Sequence, residues 1–129
     1  MTFEELFERQ VKNQDAMLNN GSYNDFAKFE NLVDHKNGKI ELPFDDTKLS
    51  SYHVQQLVSE IGEVLESDKR WKNMCNEKYD REDKKFEIAD CFIVLMNIAI
   101  FSGINGEEIV NAINEKIDIV SNRIKEQEK

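Results

Sequence analysis

"FEIADCFIVLMNIAIF", residues 86–101, decides the fold. From Ile88 to Phe101 the run is apolar but for Asp90 and Asn97, with Glu87 just before it. Its 14 residues fall short of the roughly 20 needed to cross a bilayer, so it reads as a core helix. A helix apolar on nearly every face is expected to be buried in a bundle or at a subunit interface. A carboxylate in such a segment is costly unless something pairs with it, so Asp90 needs a partner.

On either side of this run the apolar residues recur at helical spacing. Upstream, Val54, Leu57, Val58, Ile61, Val64 and Leu65 form an amphipathic stripe that predicts a helix over about Ser50 to Lys69. Downstream, Ile109, Ile113, Ile117, Val120 and Ile124 form another, ending near Lys125. Asn105, followed three residues later by Glu108, has the capping-box pattern that starts this last helix, after the break at "GING". The core helix itself is predicted from about Asp83 to Ser102.

Nearer the N-terminus, Phe3, Leu6, Phe7, Val11 and Leu18 predict a first helix over residues 2–19, stopped by "NNG". A short helix is expected within Ser22 to His35, then a "KNGK" turn and an extended "IELPFDD" around the sole proline. "KRWKNMCNEKYDRED" is a polar connection. Five glycines and one proline leave little material for the turns of a sandwich or barrel. The expected architecture is all-α: one domain over residues 1–129, a bundle of four to five helices. A chain this small can hardly wrap the core helix alone, so a homo-oligomer, dimer or tetramer, is expected.

The charge pattern narrows the function. A net charge of −9 and a pI near 4.7 speak against binding to nucleic acid or an anionic membrane. An anionic small ligand would need a cation as intermediary. The two cysteines, Cys75 and Cys91, have no zinc-like spacing, and the acidic start "MTFEELFERQ" is unlike a secretory signal. A cytoplasmic setting follows as the expectation.

Two acidic pairs carry the chemistry. Glu60 and Glu63 are neighbours on one helix surface, and so are Glu87 and Asp90. Asp83, Glu87, Asp90 and Asn97 share one narrow stripe of the core helix. If the two helices pack antiparallel, all four carboxylates converge in one cleft. Their repulsion is then relieved by protonation or by a hard divalent cation with oxygen ligands, Mg²⁺ fitting best. Two unrelated solvated faces are the alternative reading.

Glu60-x-x-Glu63 followed 24 positions later by Glu87-x-x-Asp90, then "GINGEEIVNAINEKIDIVSNR", resembles the signature of the all-α nucleoside triphosphate pyrophosphohydrolases, the MazG-like proteins and dimeric dUTPases. The resemblance spans about Tyr52 to Arg123. It implies that Glu60, Glu63, Glu87 and Asp90 hold Mg²⁺, with Mn²⁺ a possible substitute. It also implies that a nucleoside triphosphate is split into monophosphate and pyrophosphate, as nucleotide-pool housecleaning. Metal ions bridge phosphate oxygens and acidify water; Glu63 or Glu60 would orient or deprotonate that water. By the same resemblance Lys116 and Arg123 are phosphate partners, with Asn114 and Asn122 beside them and Lys72 a further cation. Trp71, Gln10 and Asn13 would sit near the base. Asn97 would either bond a ligand or satisfy a polar neighbour inside the bundle. Ser59 departs from the family pattern, where many MazG-like sequences have a further Glu. The competing expectation is a helical oligomerisation or nucleotide-sensing module without catalysis.

Overall fold

Thr2 opens the first helix. Its hydroxyl oxygen accepts from the Glu5 amide at 3.1 Å and its side chain meets the Glu5 carboxylate at 3.2 Å, so α1 (Phe3–Asn19) begins with a reciprocal cap. The computed structural model describes residues 1–22, 47–74 and 79–127. The expected short helix within Ser22 to His35, the "KNGK" turn and the extended "IELPFDD" lie outside the described residues, as does Cys75.

Three further helices follow: α2 (Thr47–Ser67), α3 (Arg81–Phe101) and α4 (Gly106–Gln127), with a short 3-10 turn at Lys69–Met74. Among the described residues no strand forms. The third helix starts two residues earlier than the spacing predicts, because Asp80 caps it, accepting from the amides of Glu82 (3.0 Å) and Asp83 (3.1 Å).

The α3–α4 corner explains the "GING" signal. Gly103 has φ 76°, a conformation open chiefly to glycine. Its amide donates to Ile100 O (3.2 Å) and that of Ile104 to Ala99 O (3.0 Å), the bond pair of a Schellman ending. Asn105 then caps α4: its side-chain Oδ1 accepts from the Glu108 backbone N–H at 2.9 Å, and the Asn105 backbone N–H donates to the Glu108 carboxylate at 3.4 Å.

α2 and α3 form an antiparallel pair, tied at both ends. Ser50 and Ser102 hydroxyls lie 3.1 Å apart. At the other end, buried Asp68 accepts from the guanidinium of Arg70 (2.9 and 2.8 Å) and from Lys84 Nζ (2.7 Å). The guanidinium also stacks on the Tyr79 ring at 3.7 Å. These cations hold the Asp68 carboxyl well below the usual carboxylate range. Its contribution to stability is therefore present above the ordinary aspartate value of 3.8 and is lost as the pH falls further. Asp68→Asn is expected to lower the thermal midpoint at pH 7 and to flatten the acid limb of a stability–pH profile.

The hydrophobic core sits at one end of this pair. Phe7, Val11 and Leu18 of α1 pack with Leu49 of α2 and Met96, Ala99, Ile100 and Phe101 of α3. Only the start of α4 joins them: Ile109 packs partly against the core, and a methyl added at Gly106 would meet Phe7 at 3.3 Å.

Three features of the single chain bear on the expected packing. The apolar third helix is buried only towards its C-terminal end; Phe86, Phe92, Ile93 and Leu95 are exposed, because one chain has too few helices to surround them. Asp90 is likewise exposed. The α4 stripe faces away from the other helices, leaving Ile113, Ile117, Val120 and Ile124 about half exposed. A folded four-helix bundle is therefore not completed within the described residues of one chain.

Candidate functional site

Antiparallel packing gives the two acidic pairs a common meeting place. α2 presents Glu60 and Glu63, one turn apart; α3 presents Glu87 and Asp90. One oxygen from each of the four lies within 4.8 Å of all the others. Glu60 and Glu87 are half-buried, and one oxygen of each, Oε2, is shut from solvent without a hydrogen-bond partner. The unpartnered buried oxygens thus belong to the two glutamates, not to Asp90 as the apolar surroundings of that residue suggest.

The electrostatics follow from this crowding. Desolvation pushes Glu60 up from its ordinary value, helped by the hydrogen bond it shares with Glu63 when Glu60 holds the proton and by the negative charges of Glu63 and Asp90. Glu87 is pushed up first by its hydrogen bond with Glu63, then by desolvation and by Glu63, Asp83 and Asp90. Two carboxyl groups can hydrogen-bond only when one holds a proton, so the cluster retains protons that separate glutamates would release. Every charge acting on Glu60 and Glu87 is negative. The adjoining Cys91 thiol is pushed up as well, by burial and by the same four carboxylates.

An arrangement of four oxygen donors with two stranded buried oxygens and, among the described residues, no countercharge fits a hard divalent cation. A pH dependence follows. Above the ordinary glutamate value of 4.5 the native cluster holds protons that the unfolded chain releases, so stability falls as the pH rises from there. In chelator-treated protein the thermal midpoint is expected to drop as the pH is raised above that value. Mg²⁺ or Mn²⁺ is expected to restore it, and to do so more fully as the pH rises, because protons held by Glu60 and Glu87 compete with the cation.

Beside the cluster lies a cleft of about 310 Å³ that shares Glu60 and Asp90 with it. Ligand pockets begin at about this size. Its walls are Met17, Ile93 and Val94, and its polar lining is Gln10, Gln14, Gln56 and Asn97, with Tyr52 and His53. Gln10 donates to Asn97 Oδ1 at 2.8 Å, and Asn13 donates to Gln10 Oε1 at 3.2 Å. Asn97 therefore both satisfies a polar neighbour and faces the cleft.

The remaining sequence-predicted residues are not gathered here. Asn13 is exposed and reaches the cleft only through Gln10. Trp71 is 59% exposed on the 3-10 turn, its indole N–H donating to Leu65 O at 3.1 Å, and Lys72 is exposed on the same turn. Lys116 lines a groove along α4's own apolar face with Ile113, Ile117 and Val120, and Arg123, Asn114 and Asn122 are exposed on the same helix. His53 and Gln56 were missed. Gln56 lies one turn before Glu60, a spacing that places it on the same side of α2 and was available from the sequence.

Among the described residues no helix is long and apolar enough to cross a membrane. Against protein-family models, curated proteins and solved structures, the chain finds no match, so the convergence of the four carboxylates stands on its own geometry.

Proposed function

We propose that the protein is a Mg²⁺-dependent nucleoside triphosphate pyrophosphohydrolase, releasing a monophosphate and pyrophosphate. The observation that carries this reading is the meeting of Glu60, Glu63, Glu87 and Asp90 around one point, with buried oxygens of Glu60 and Glu87 left unpaired. Four carboxylates this close repel one another, a repulsion that a divalent cation would relieve, and the adjoining amide-lined cleft has room for the organic part of a phosphate ester.

The four carboxylates would hold the cation, Mg²⁺ or Mn²⁺. Bound there, it supplies charge neutralisation at phosphate oxygens and acidification of water. The chain's own groups do the rest. Glu63, exposed beside both half-buried glutamates, would orient a solvent molecule and take its proton, with Glu60 as the other candidate. Gln10 and Asn97 line the space for a base. Asn13 supports Gln10 from behind, and Trp71 flanks the end of α2.

Among the described residues no cation lines the cleft of one chain, and the uncovered face of α4 suggests a source. A homodimer or homotetramer that seats this stripe against the exposed apolar faces of α2 and α3 in a second copy carries Lys116 and Arg123 towards the site, while Lys72 approaches from the 3-10 turn. A role in clearing unwanted nucleotides is consistent with such chemistry.

The test is incubation with a panel of ribo- and deoxynucleoside triphosphates and Mg²⁺ or Mn²⁺, with monophosphate and pyrophosphate measured separately. Both products are expected in equal amounts and only with a divalent cation. Folded protein that neither binds nor cleaves any nucleotide would overturn the assignment and leave a helical oligomerisation module.

A further inference from the structure

The cleft beside the acidic cluster has a definite hydrogen-bonding polarity. His53 Nδ1 lies 3.0 Å from Gln56 Oε1. A carbonyl oxygen only accepts, so Nδ1 carries the proton. The imidazole is buried, which keeps it neutral by pushing its titration below the ordinary histidine value. It is clamped face to face with Phe101, at 5.4 Å and 1°, and edge-on to Tyr52 at 5.1 Å. Gln56 thus has its oxygen committed to His53 and its NH₂ group left over.

The opposite helix repeats the pattern. Asn97 is only 5% exposed, and its Oδ1 is committed to Gln10. Among the described residues nothing accepts from the NH₂ group of either Asn97 or Gln56. Ser50 pairs with Ser102, and Glu60 meets Asp90, so the antiparallel register sets Gln56 opposite Asn97. Both amides lie on the same side of the carboxylates, one turn from Glu60 and about two turns from Asp90. Two donor groups with no protein acceptor therefore line one cleft next to the proposed phosphate chemistry.

We propose that this cleft reads a ring edge bearing two adjacent acceptors through the NH₂ groups of Gln56 and Asn97, that the ring is cytosine, and that His53 is the positioning residue that fixes Gln56. Cytosine offers O2 and N3 side by side. Uracil carries a hydrogen on N3, which sets donor against donor and leaves buried N–H groups unpaired. Adenine has a donor beside N1. Guanine has an O6 and N7 pair, but on a larger bicyclic ring. The inference rests on the nucleotide reading of the acidic cluster and goes beyond it in naming the base.

The experiment is titration calorimetry of the full chain with Mg²⁺ and the non-cleavable α,β-imido analogues of CTP, UTP and GTP. The CTP analogue is expected to bind about tenfold more tightly than the UTP analogue, the worth of one hydrogen bond. Gln56→Glu, which replaces the donor by acceptors, and Gln56→Met, which removes it, are both expected to erase that preference. His53→Phe, which keeps the stacking and loses the bond to Gln56, is expected to shrink the CTP-to-UTP ratio without changing Mg²⁺ affinity. Circular dichroism confirms that each variant is folded. UTP binding as tightly as CTP, GTP binding more tightly than both, or an unchanged ratio in His53→Phe overturns the cytosine assignment and leaves the nucleotide reading intact. Binding of Mg²⁺ but of none of the three analogues overturns both.

Discussion

Glu60→Gln is expected to abolish most of the cation-dependent pyrophosphate release while raising the thermal midpoint of the metal-free protein. The two effects have one cause. Glu60 is held above its ordinary titration range by desolvation and by its acidic neighbours, so its charged form is disfavoured in the native state. A neutral amide of the same shape removes that repulsion and stabilises the fold. It also removes a ligand from a centre whose charge neutralisation is worth several kcal/mol of transition-state stabilisation. The activity loss is expected to be about 10²- to 10³-fold. Glu87→Gln is expected to behave the same way, because Glu87 has the other stranded oxygen. The measurements are pyrophosphate release at saturating Mg²⁺ and thermal melts in chelator. A variant that loses activity together with metal-free stability would point to a structural role and contradict the functional assignment.

Ile117→Asp carries the second large effect, on assembly. Ile117 is 57% exposed at the middle of the α4 stripe, flanked by Ile113, Val120 and Ile124 in similar condition. A second copy that covers this stripe buries the new carboxylate without a partner, and in a two-fold symmetric interface it does so twice. Association is expected to weaken by at least about a hundredfold. Light scattering behind size exclusion should report a multiple of the 15.1 kDa chain mass for the natural protein and a single chain for the variant. Nucleotide turnover is expected to fall with assembly, since Lys116 and Arg123 reach phosphate only through a neighbour. A natural protein that runs as a single chain at all concentrations would contradict the proposed assembly.

Periodicity made much of this fold legible. The stripes of α1, α2 and α4 are spaced for helices, and Asn105 with Glu108 marked the start of α4 to the residue. The acidic pairs were legible too, because i, i+3 spacing puts each pair on one helix surface whatever the tertiary structure. What escaped were properties set by distant partners. Asp68 reads as one more surface charge, yet it meets Lys84 across the helix pair. Trp71, expected near the base, is exposed on the 3-10 turn, its indole N–H donating to the Leu65 carbonyl near the end of α2. His53, set among Val54, Gln55 and Gln56, gives no hint that its ring stacks on Phe101 or that its proton orients a neighbouring amide. Asp90 looked buried because the α3 run is apolar all round, while a single chain wraps only the far end of that helix.

The two ties between α2 and α3, Ser50 with Ser102 and Asp68 with Lys84, bracket the carboxylates like the jaws and hinge of a caliper. Helices pinned at both extremities cannot slide past each other to ease the crowding at their midpoint. The pair is in effect preloaded, with a gape fixed in advance of any guest, so the proposed cation would find its site with little reorganisation of the protein.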